Sequence, residues 1–552
     1  MASPPPILIL GASIVGLTAS LALTTAGIPN ITLEKHTHIS AHPRAMGFTP
    51  RTMEYYRSLG IAEQIPQAPA DFTLLRARVH SLAGEWFERT AWSKVESEPN
   101  PNPKPNPKPK VQPTPKRKPK FSSLRGAAIP QDKLERILET TALARGADIR
   151  RGWTVTGFVQ DERGITVTAL TPEGEKTTIR GVYLIAADGS KSTIRTQLDI
   201  LRTGRGHMQT MRSVLFRADL SEYATEVLQF NIEQPGLRAF LTTYNDGRWV
   251  LMFYDDIERN GRTLLSCICA AIGRDDIPVE IITTGRWELT AWVAERFRVG
   301  RVFLVGDAAH TLPPNRGGYG ANTGIGDVEN LVWKMKMVLG VGGGCPAGEE
   351  LLDTYEVERR SVALLRHEQI FARADYKVHL EEGREGGEVV RLDDDAVEFG
   401  QIYRSKGFLG EEGEYKVPLA LPPALRPDEW KGQPGTRVPH FMVKMEDGRE
   451  VSIAEVVDGM GWTVLSAGEK WRGVVEDVND GLQVVGGVRH VRVGDAEEFC
   501  RAFGMEEGAV LVRPDGYIAW RTEGVADGLV AELGRALETV AFRNSSKWGL
   551  LL

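Results

Sequence analysis

Ile7-Leu8-Ile9-Leu10-Gly11-Ala12-Ser13-Ile14-Val15-Gly16 is the stretch on which the fold turns. The apolar run predicts a short buried strand over 6–10. Residues 14–25 have the length and composition of a helix, and 31–34 read as a second strand. Strand, tight turn, helix and strand open a parallel βαβ unit. Gly11 and Gly16 let backbone approach a pyrophosphate, while the start of the helix supplies N–H donors and partial positive charge. Ser13 stands where such turns usually carry a second glycine and adds a hydroxyl beside the phosphate path. Glu34, 23 residues beyond Gly11, ends the second strand, where an acid can hydrogen-bond an adenosine ribose. Taken alone, the stretch also allows a purely structural strand–turn–helix.

Two later stretches bear on that choice. Ala187-Asp188-Gly189-Ser190-Lys191-Ser192-Thr193-Ile194-Arg195 ends a strand in Asp-Gly and enters a helix. Arg301-Val302-Phe303-Leu304-Val305-Gly306-Asp307-Ala308-Ala309-His310 ends another in Gly-Asp. It continues through Pro313, Pro314 and a glycine-dense loop to Gly320-Ala321-Asn322, then into a long helix with Ile325, Val328, Val332, Met335 and Leu339 on one face. A glycine-rich loop before a helix start is a second place that can hold negative charge.

Around these motifs the spacing predicts helices at 50–59, from 131, and at 351–372. Residues 154–185 and 213–272 read as strand-rich, the second carrying Val214, Phe216, Trp249, Leu251, Phe253 and Ile268. Between 99 and 120 stand nine prolines and seven Lys or Arg with no acid, a composition that forms neither helix nor sheet interior. Such a tract is either a solvated insertion or a ligand for a proline-recognising partner. From 418 onward a new unit shows strands at 462–466, 509–512 and 517–520 and a terminal helix over 526–540.

The 552 residues are 42% hydrophobic and 25% charged, enough for several packed cores and incompatible with whole-chain disorder. A net charge of −6 gives no reason to expect nucleic acid as a partner. Cys267, Cys269, Cys345 and Cys500 form neither a CxxC nor a zinc pattern, so no metal is expected and a reducing, cytoplasmic setting suits them. The N-terminus lacks a signal-peptide pattern, and no run of 18 apolar residues predicts a membrane span.

In this order, the fingerprint, the Asp-Gly motif and the Gly-Asp motif resemble the class A FAD-dependent aromatic monooxygenases, the para-hydroxybenzoate hydroxylase-like superfamily. Pro43-Arg44-Ala45-Met46-Gly47, Pro50-Arg51-Thr52-Met53-Glu54, Gln131-Asp132-Lys133-Leu134-Glu135 and the 352–360 run agree with that family. Pro434-Gly435-Thr436-Arg437-Val438-Pro439-His440 and the 512–521 run resemble the C-terminal domain of its phenol and polyketide hydroxylases, which is thioredoxin-like. Without a CxxC, a structural or dimer-supporting role is expected there rather than dithiol chemistry.

The resemblance implies an α/β protein: a Rossmann-like FAD-binding domain interleaved with a β-sheet substrate domain, then a thioredoxin-like domain. The expected divisions are 1–72, 121–204 and 297–380 for FAD binding, and 73–98 with 205–296 for the substrate sheet. A disordered insert is expected at 99–120, a linker at 381–417 and the C-terminal domain at 418–552. It further implies that Glu34 holds the ribose and that Gly11, Ser13 and Gly16 wrap the pyrophosphate. Arg44 and Gln131 would contact the diphosphate region, with Gly47 beside them among the cofactor-binding positions. Asp307 would bind the ribityl or phosphate part, and Gly320, Ala321 and Asn322 would present backbone to the flavin's pyrimidine end. Asp188 and Gly189 would belong to the motif linking FAD and NAD(P)H handling; His310 is either structural or catalytic.

The implied chemistry uses NAD(P)H and O2 to hydroxylate a phenolic or polyketide-type aromatic through a flavin C4a-hydroperoxide, with a base or hydrogen-bond chain near the phenol. Tyr244, Tyr254, Pro313 and Pro314 are the pocket candidates, with Trp249 and Phe253 as sheet aromatics that either pack or touch substrate. Baeyer–Villiger insertion, epoxidation and a flavin-binding protein without turnover remain open on the same residues. A homodimer is compatible with them.

Overall fold

The structure, a computed structural model, describes residues 5–69, 74–91, 121–224, 227–313, 318–373, 389–410, 421–445, 447–457, 459, 461–523 and 528–543. The expected 99–120 insert lies outside the described residues.

Ile7–Leu10 is a strand with all four side chains buried. It runs through the middle of a six-stranded sheet in the order Arg298–Val299, Val302–Leu304, Leu184–Ala186, Ile7–Leu10, Asn30–Glu34, Asp148–Arg151. Leu8 lies opposite Leu184 on one side and Ile31 on the other, both pairings parallel. A central parallel strand is covered on both faces and therefore wants an unbroken apolar run, each such side chain contributing about 1.5–3 kcal/mol on burial. Helix Ile14–Thr25 packs against helices Gln131–Ala144 and Tyr319–Leu339, which is why it is apolar nearly all round.

Twice the chain leaves this unit to build a second sheet. Its order is His310–Thr311, Glu280–Ala294, Arg202–Arg217, Arg248–Phe253, Leu237–Thr243, Val227–Gln234, Leu75–Val79, Trp86–Ala91. The strand-rich reading of 213–272 is corrected at its end, where Gly261–Ile272 is a helix. The Asn260 side chain accepts the Thr263 N–H at 3.0 Å, Gly273 stops the helix at φ 82°, and Leu264, Ile268, Ala271 and Ile272 form one buried face. That face covers Val214, Phe216, Trp249, Leu251 and Phe253 on one side of the sheet.

The third unit is the thioredoxin-like domain. Its sheet runs Val488–Arg492, Trp462–Ser466, Ala509–Val512, Ile518–Thr522, the first pair parallel and the others antiparallel. Alternate residues divide between two cores: Val464 and Leu511 pack with helices Trp471–Leu482 and Leu529–Val540, Leu465 and Val510 with Ala496–Phe503.

In its described part the 381–417 connection is packed. Helix Asp394–Phe399 leads into buried Ile402, Tyr403 and Phe408, and the Tyr403 ring stacks on Tyr517 at 4.0 Å. Beside it Glu358, wholly buried, accepts from Lys334 at 2.8 Å, Ser405 at 2.6 Å and both terminal nitrogens of Arg513. Arg513 also holds Asp515, so a buried ionic knot ties the C-terminal domain to helices Tyr319–Leu339 and Thr354–Phe371.

Candidate functional site

Gly11, Glu34, Asp188 and Gly306-Asp307 end or follow four neighbouring strands of the six-stranded sheet, all at the C-terminal edge. That edge is where open parallel sheets bind ligands, because helix starts and loop N–H groups converge there. At Gly11 φ is 95°, and a Cβ would lie 2.4 Å from the Ala187 carbonyl oxygen; one on Gly16 would lie 1.9 Å from that of Gly11. Side chains are therefore excluded at these two positions on steric grounds alone.

The Ser13 hydroxyl does not cap its own helix. It donates to Glu135 Oε1 at 2.6 Å, which also accepts from Ile14 N–H at 3.2 Å and from Gln131 Nε2 at 2.7 Å. Gln131 Oε1 in turn accepts the N–H groups of Arg44 and Ala45 at 3.0 and 3.1 Å, pinning that segment to the helix start. Burial pushes the Glu135 carboxyl up, against the pull of Ser13, Gln131 and Ile14. The sequence signal for Glu135 is its spacing of four from Gln131 on one helix.

Glu34 is 9% exposed and shaped by its neighbours. One oxygen accepts Ala12 N–H at 2.8 Å, the other His36 N–H at 2.8 Å and its ring at 2.7 Å. Burial pushes the carboxyl up, but these donors more than offset it and hold it below its ordinary value. An ionised acid with lone pairs to spare suits a ribose diol.

Asp307 sits on the one-turn helix Gly306–Ala308. Its carboxyl is open to solvent yet ringed by dense protein, and the lost hydration pushes it up while His310 and Arg44 pull it back. Arg195 joins the two later motifs, donating to Ala308 O at 2.9 Å and Ser190 O at 3.0 Å. Asp188 caps helix Thr193–Gln197 through Thr193 N–H at 2.8 Å. Helix Tyr319–Leu339 starts at Gly318, so the first-turn N–H groups at Gly320 and Ala321 have no intrahelical acceptor. The Asn322 side chain is a clamp: its Oδ1 accepts from Thr49 N–H and the Thr52 hydroxyl, and its Nδ2 donates to Gly47 O and Gly318 O. His310 is buried, with Nε2 2.8 Å from Asp327 Oδ2, and Arg359 holds the other Asp327 oxygen. That buried trio braces the Gly-Asp turn, whose Gly306 N–H also reaches Asp327.

Across from these groups lies the free face of the eight-stranded sheet. Leu215, Tyr244 and Val250 cluster there with Met46 and Met252. The Tyr244 hydroxyl donates to Pro43 O at 2.9 Å, and Arg248 reaches Asp132 on helix Gln131–Ala144. Tyr254 lies farther along, 45% exposed, with Arg76 and Arg238 nearby. Trp249 and Phe253 point to the opposite face, under helix Gly261–Ile272, and belong to its packing. Strand His310–Thr311 pairs with Val293 and Trp292, which carries buried Pro313 to the sheet; Pro314 lies outside the described residues. A cavity of about 80 Å³ lined by Tyr55, Trp333 and Ile453 lies by Ala22 and Ala26, at the other end of helix Ile14–Thr25 from Gly11.

Residues 5–368 match the FAD binding domain family, and 431–541 match the C-terminal domain of aromatic-ring hydroxylases. A 4-methyl-5-nitrocatechol 5-monooxygenase from Burkholderia sp is 34% identical, covering 98% of each chain. A tetracenomycin A2 monooxygenase-dioxygenase from Streptomyces glaucescens is 33% identical over 99% of this chain and 98% of that one. The crystal structure of a ternary complex of aklavinone-11 hydroxylase with FAD and aklavinone superposes with a TM-score of 0.81 at 29% identity, over 98% of this chain and 100% of that one.

Proposed function

The chain belongs to the FAD-binding aromatic-ring hydroxylases, and we propose from that premise that it uses NAD(P)H and O2 to hydroxylate a phenolic or polyketide-type aromatic. One observation carries the assignment of the site: Gly11, Glu34, Asp188 and Asp307 stand on one edge of one sheet, opposite the uncovered face of a second.

The residues fit FAD. The Gly11–Gly16 turn and the start of helix Ile14–Thr25 offer N–H groups to the diphosphate, with Ser13, Arg44 and Gln131 around it. Ionised Glu34 accepts from the ribose, and Asp307 takes the hydroxyls of the ribityl chain. The first-turn N–H groups at Gly320 and Ala321 meet the pyrimidine edge, while Asn322 and Gly47 keep the two flanking segments together. When bound, FAD supplies the transfer of reducing equivalents from NAD(P)H and the activation of O2. This chain's own part is to seat the aromatic ring against the apolar face around Met46, Leu215 and Val250, to keep water out, and to manage the substrate's hydroxyl proton.

Among the described residues no helix is long and apolar enough to cross a membrane. The four free thiols support a reducing, cytoplasmic setting, and a homodimer is compatible with the thioredoxin-like domain. The deciding experiment screens NADPH and NADH oxidation by the FAD-loaded protein against phenols and polyketide-like aromatics, with product mass and NMR. A product sixteen mass units heavier than its substrate, with a new ring hydroxyl, is expected. Oxidation of reduced cofactor unaffected by every aromatic, or oxygen inserted into a ring C–C bond, would count against the reading.

A further inference from the structure

Ser213 projects from strand Arg202–Arg217 beside Leu215, toward the 42–46 segment, and is 2% exposed. Its hydroxyl oxygen lies 2.6 Å from the Trp287 indole nitrogen and 2.9 Å from His42 Nε2. An indole N–H only donates, so the hydroxyl proton is left for His42 Nε2. His42 Nδ1 lies 3.3 Å from the Pro43 carbonyl, which only accepts. Both bonds assign one tautomer: neutral imidazole, proton on Nδ1, Nε2 accepting from Ser213. The rings of His42 and Trp287 meet edge to face at 5.3 Å. Room for the trio depends on Gly285, where a Cβ would come within 2.9 Å of Ser213 Oγ, 3.0 Å of Trp287 Nε1 and 3.2 Å of the His42 ring.

Two cations bear on the imidazole, Arg44 from its own segment and Arg248 from the sheet; Arg248 is itself held by Asp132 and Asp246. Burial first, then these cations, hold His42 below its ordinary value, so it stands neutral and able to accept. The Arg44 N–H donates to Gln131, which itself donates to the Ser13 hydroxyl, so the 42–44 segment is tied to the cofactor turn.

We propose that Ser213 and His42 form a two-step proton relay for the hydroxyl of the aromatic substrate, with Trp287 fixing its direction. The proposal rests on the hydroxylase reading above. The substrate O–H bond breaks as its proton passes to Ser213 Oγ, and the Ser213 O–H bond breaks as that proton passes to His42 Nε2. An aryl oxide and an imidazolium result, with no change of oxidation state. The electron pair left on the aryl oxygen raises the nucleophilicity of the ring, and the imidazolium later returns its proton to solvent or product.

The test uses FAD-loaded protein and 4-nitrocatechol, a phenol whose colour reports its ionisation. The pH at which the bound probe ionises is measured for wild type, His42→Gln, Ser213→Ala and Ser213→Thr, in variants with full FAD content. In H42Q and S213A the bound probe is expected to ionise about one pH unit higher than in wild type, a tenfold change in the equilibrium. S213T keeps a hydroxyl and is expected to stay at the wild-type value. With a substrate that turns over, kcat in H42Q should fall about 10²-fold with KM little changed. Wild-type hydroxylation together with identical probe ionisation in wild type, H42Q and S213A overturns the relay alone. A wild-type enzyme that binds and oxidises no phenol overturns the hydroxylase reading and the relay with it.

Discussion

Glu34 joins a structural bond to the ribose contact proposed for it. Its bond to Ala12 N–H ties the second strand to the fingerprint. Glu34→Ala should weaken FAD binding by roughly 1.5–3 kcal/mol, about ten- to hundredfold in Kd, read by titrating apoprotein with FAD. Because the folded carboxyl lies below its ordinary value, its contribution to stability is fully present above the ordinary carboxylate range. That contribution disappears as pH falls through the lowered value. The melting-temperature advantage of wild type over Glu34→Gln should therefore hold near neutrality and shrink below about pH 4. An advantage independent of pH would show that the charge does not matter. The fingerprint glycines and Glu34 were legible in sequence because close approach and a strand-end acid leave local signatures. His42, Ser213 and Trp287 were not, since 171 residues separate the first two and only sheet register brings them together.

At the level of elements, the start of helix Tyr319–Leu339, proposed to meet the flavin, offers a direct test on turnover. A Cβ on Gly320 would meet nothing closer than Leu312 O at 3.8 Å, so the protein itself tolerates a side chain there. Gly320→Val is accordingly expected to fold and bind FAD yet misplace the ring. Product per NADPH should drop, by up to about 10²-fold in product turnover, with hydrogen peroxide making up the difference. Coupling equal to wild type would detach this helix from positioning the flavin. Helix Gly261–Ile272 supplies a second test, remote from that edge. Asn260→Ala removes its cap and should cost about 1 kcal/mol in thermal or urea unfolding while FAD content stays constant. This helix was misread from sequence because Ile268 and its apolar neighbours suit a strand equally well; the cap at Asn260 and the stop at Gly273 were the deciding signals.

Across the whole molecule, the Glu358 knot joins the C-terminal unit to the first. It lies where helices Tyr319–Leu339 and Thr354–Phe371 meet the Arg513-Pro514-Asp515-Gly516 turn, and Arg51, by bonding the Tyr517 hydroxyl, adds a second tie. Glu358→Gln leaves Arg513 and Lys334 short of their buried counter-charge. About 3–5 kcal/mol should be lost, seen as a lower melting temperature and faster proteolysis of residues 431–541. An unchanged melting curve would mean the knot is dispensable. The α/β class, the three cofactor motifs in their order and the C-terminal unit were determined by the sequence itself. Buried parallel strands need apolar runs and phosphate turns need glycine, and both requirements are local. Tertiary structure alone decided which face of the second sheet meets the cofactor edge. It also made Asn322 and Arg195 clamps between distant segments, folded the 389–410 stretch into a packed joint, and set Ser213 against His42. Those outcomes depend on strand register and on charges that need a partner once buried, and neither is written in any single stretch of chain.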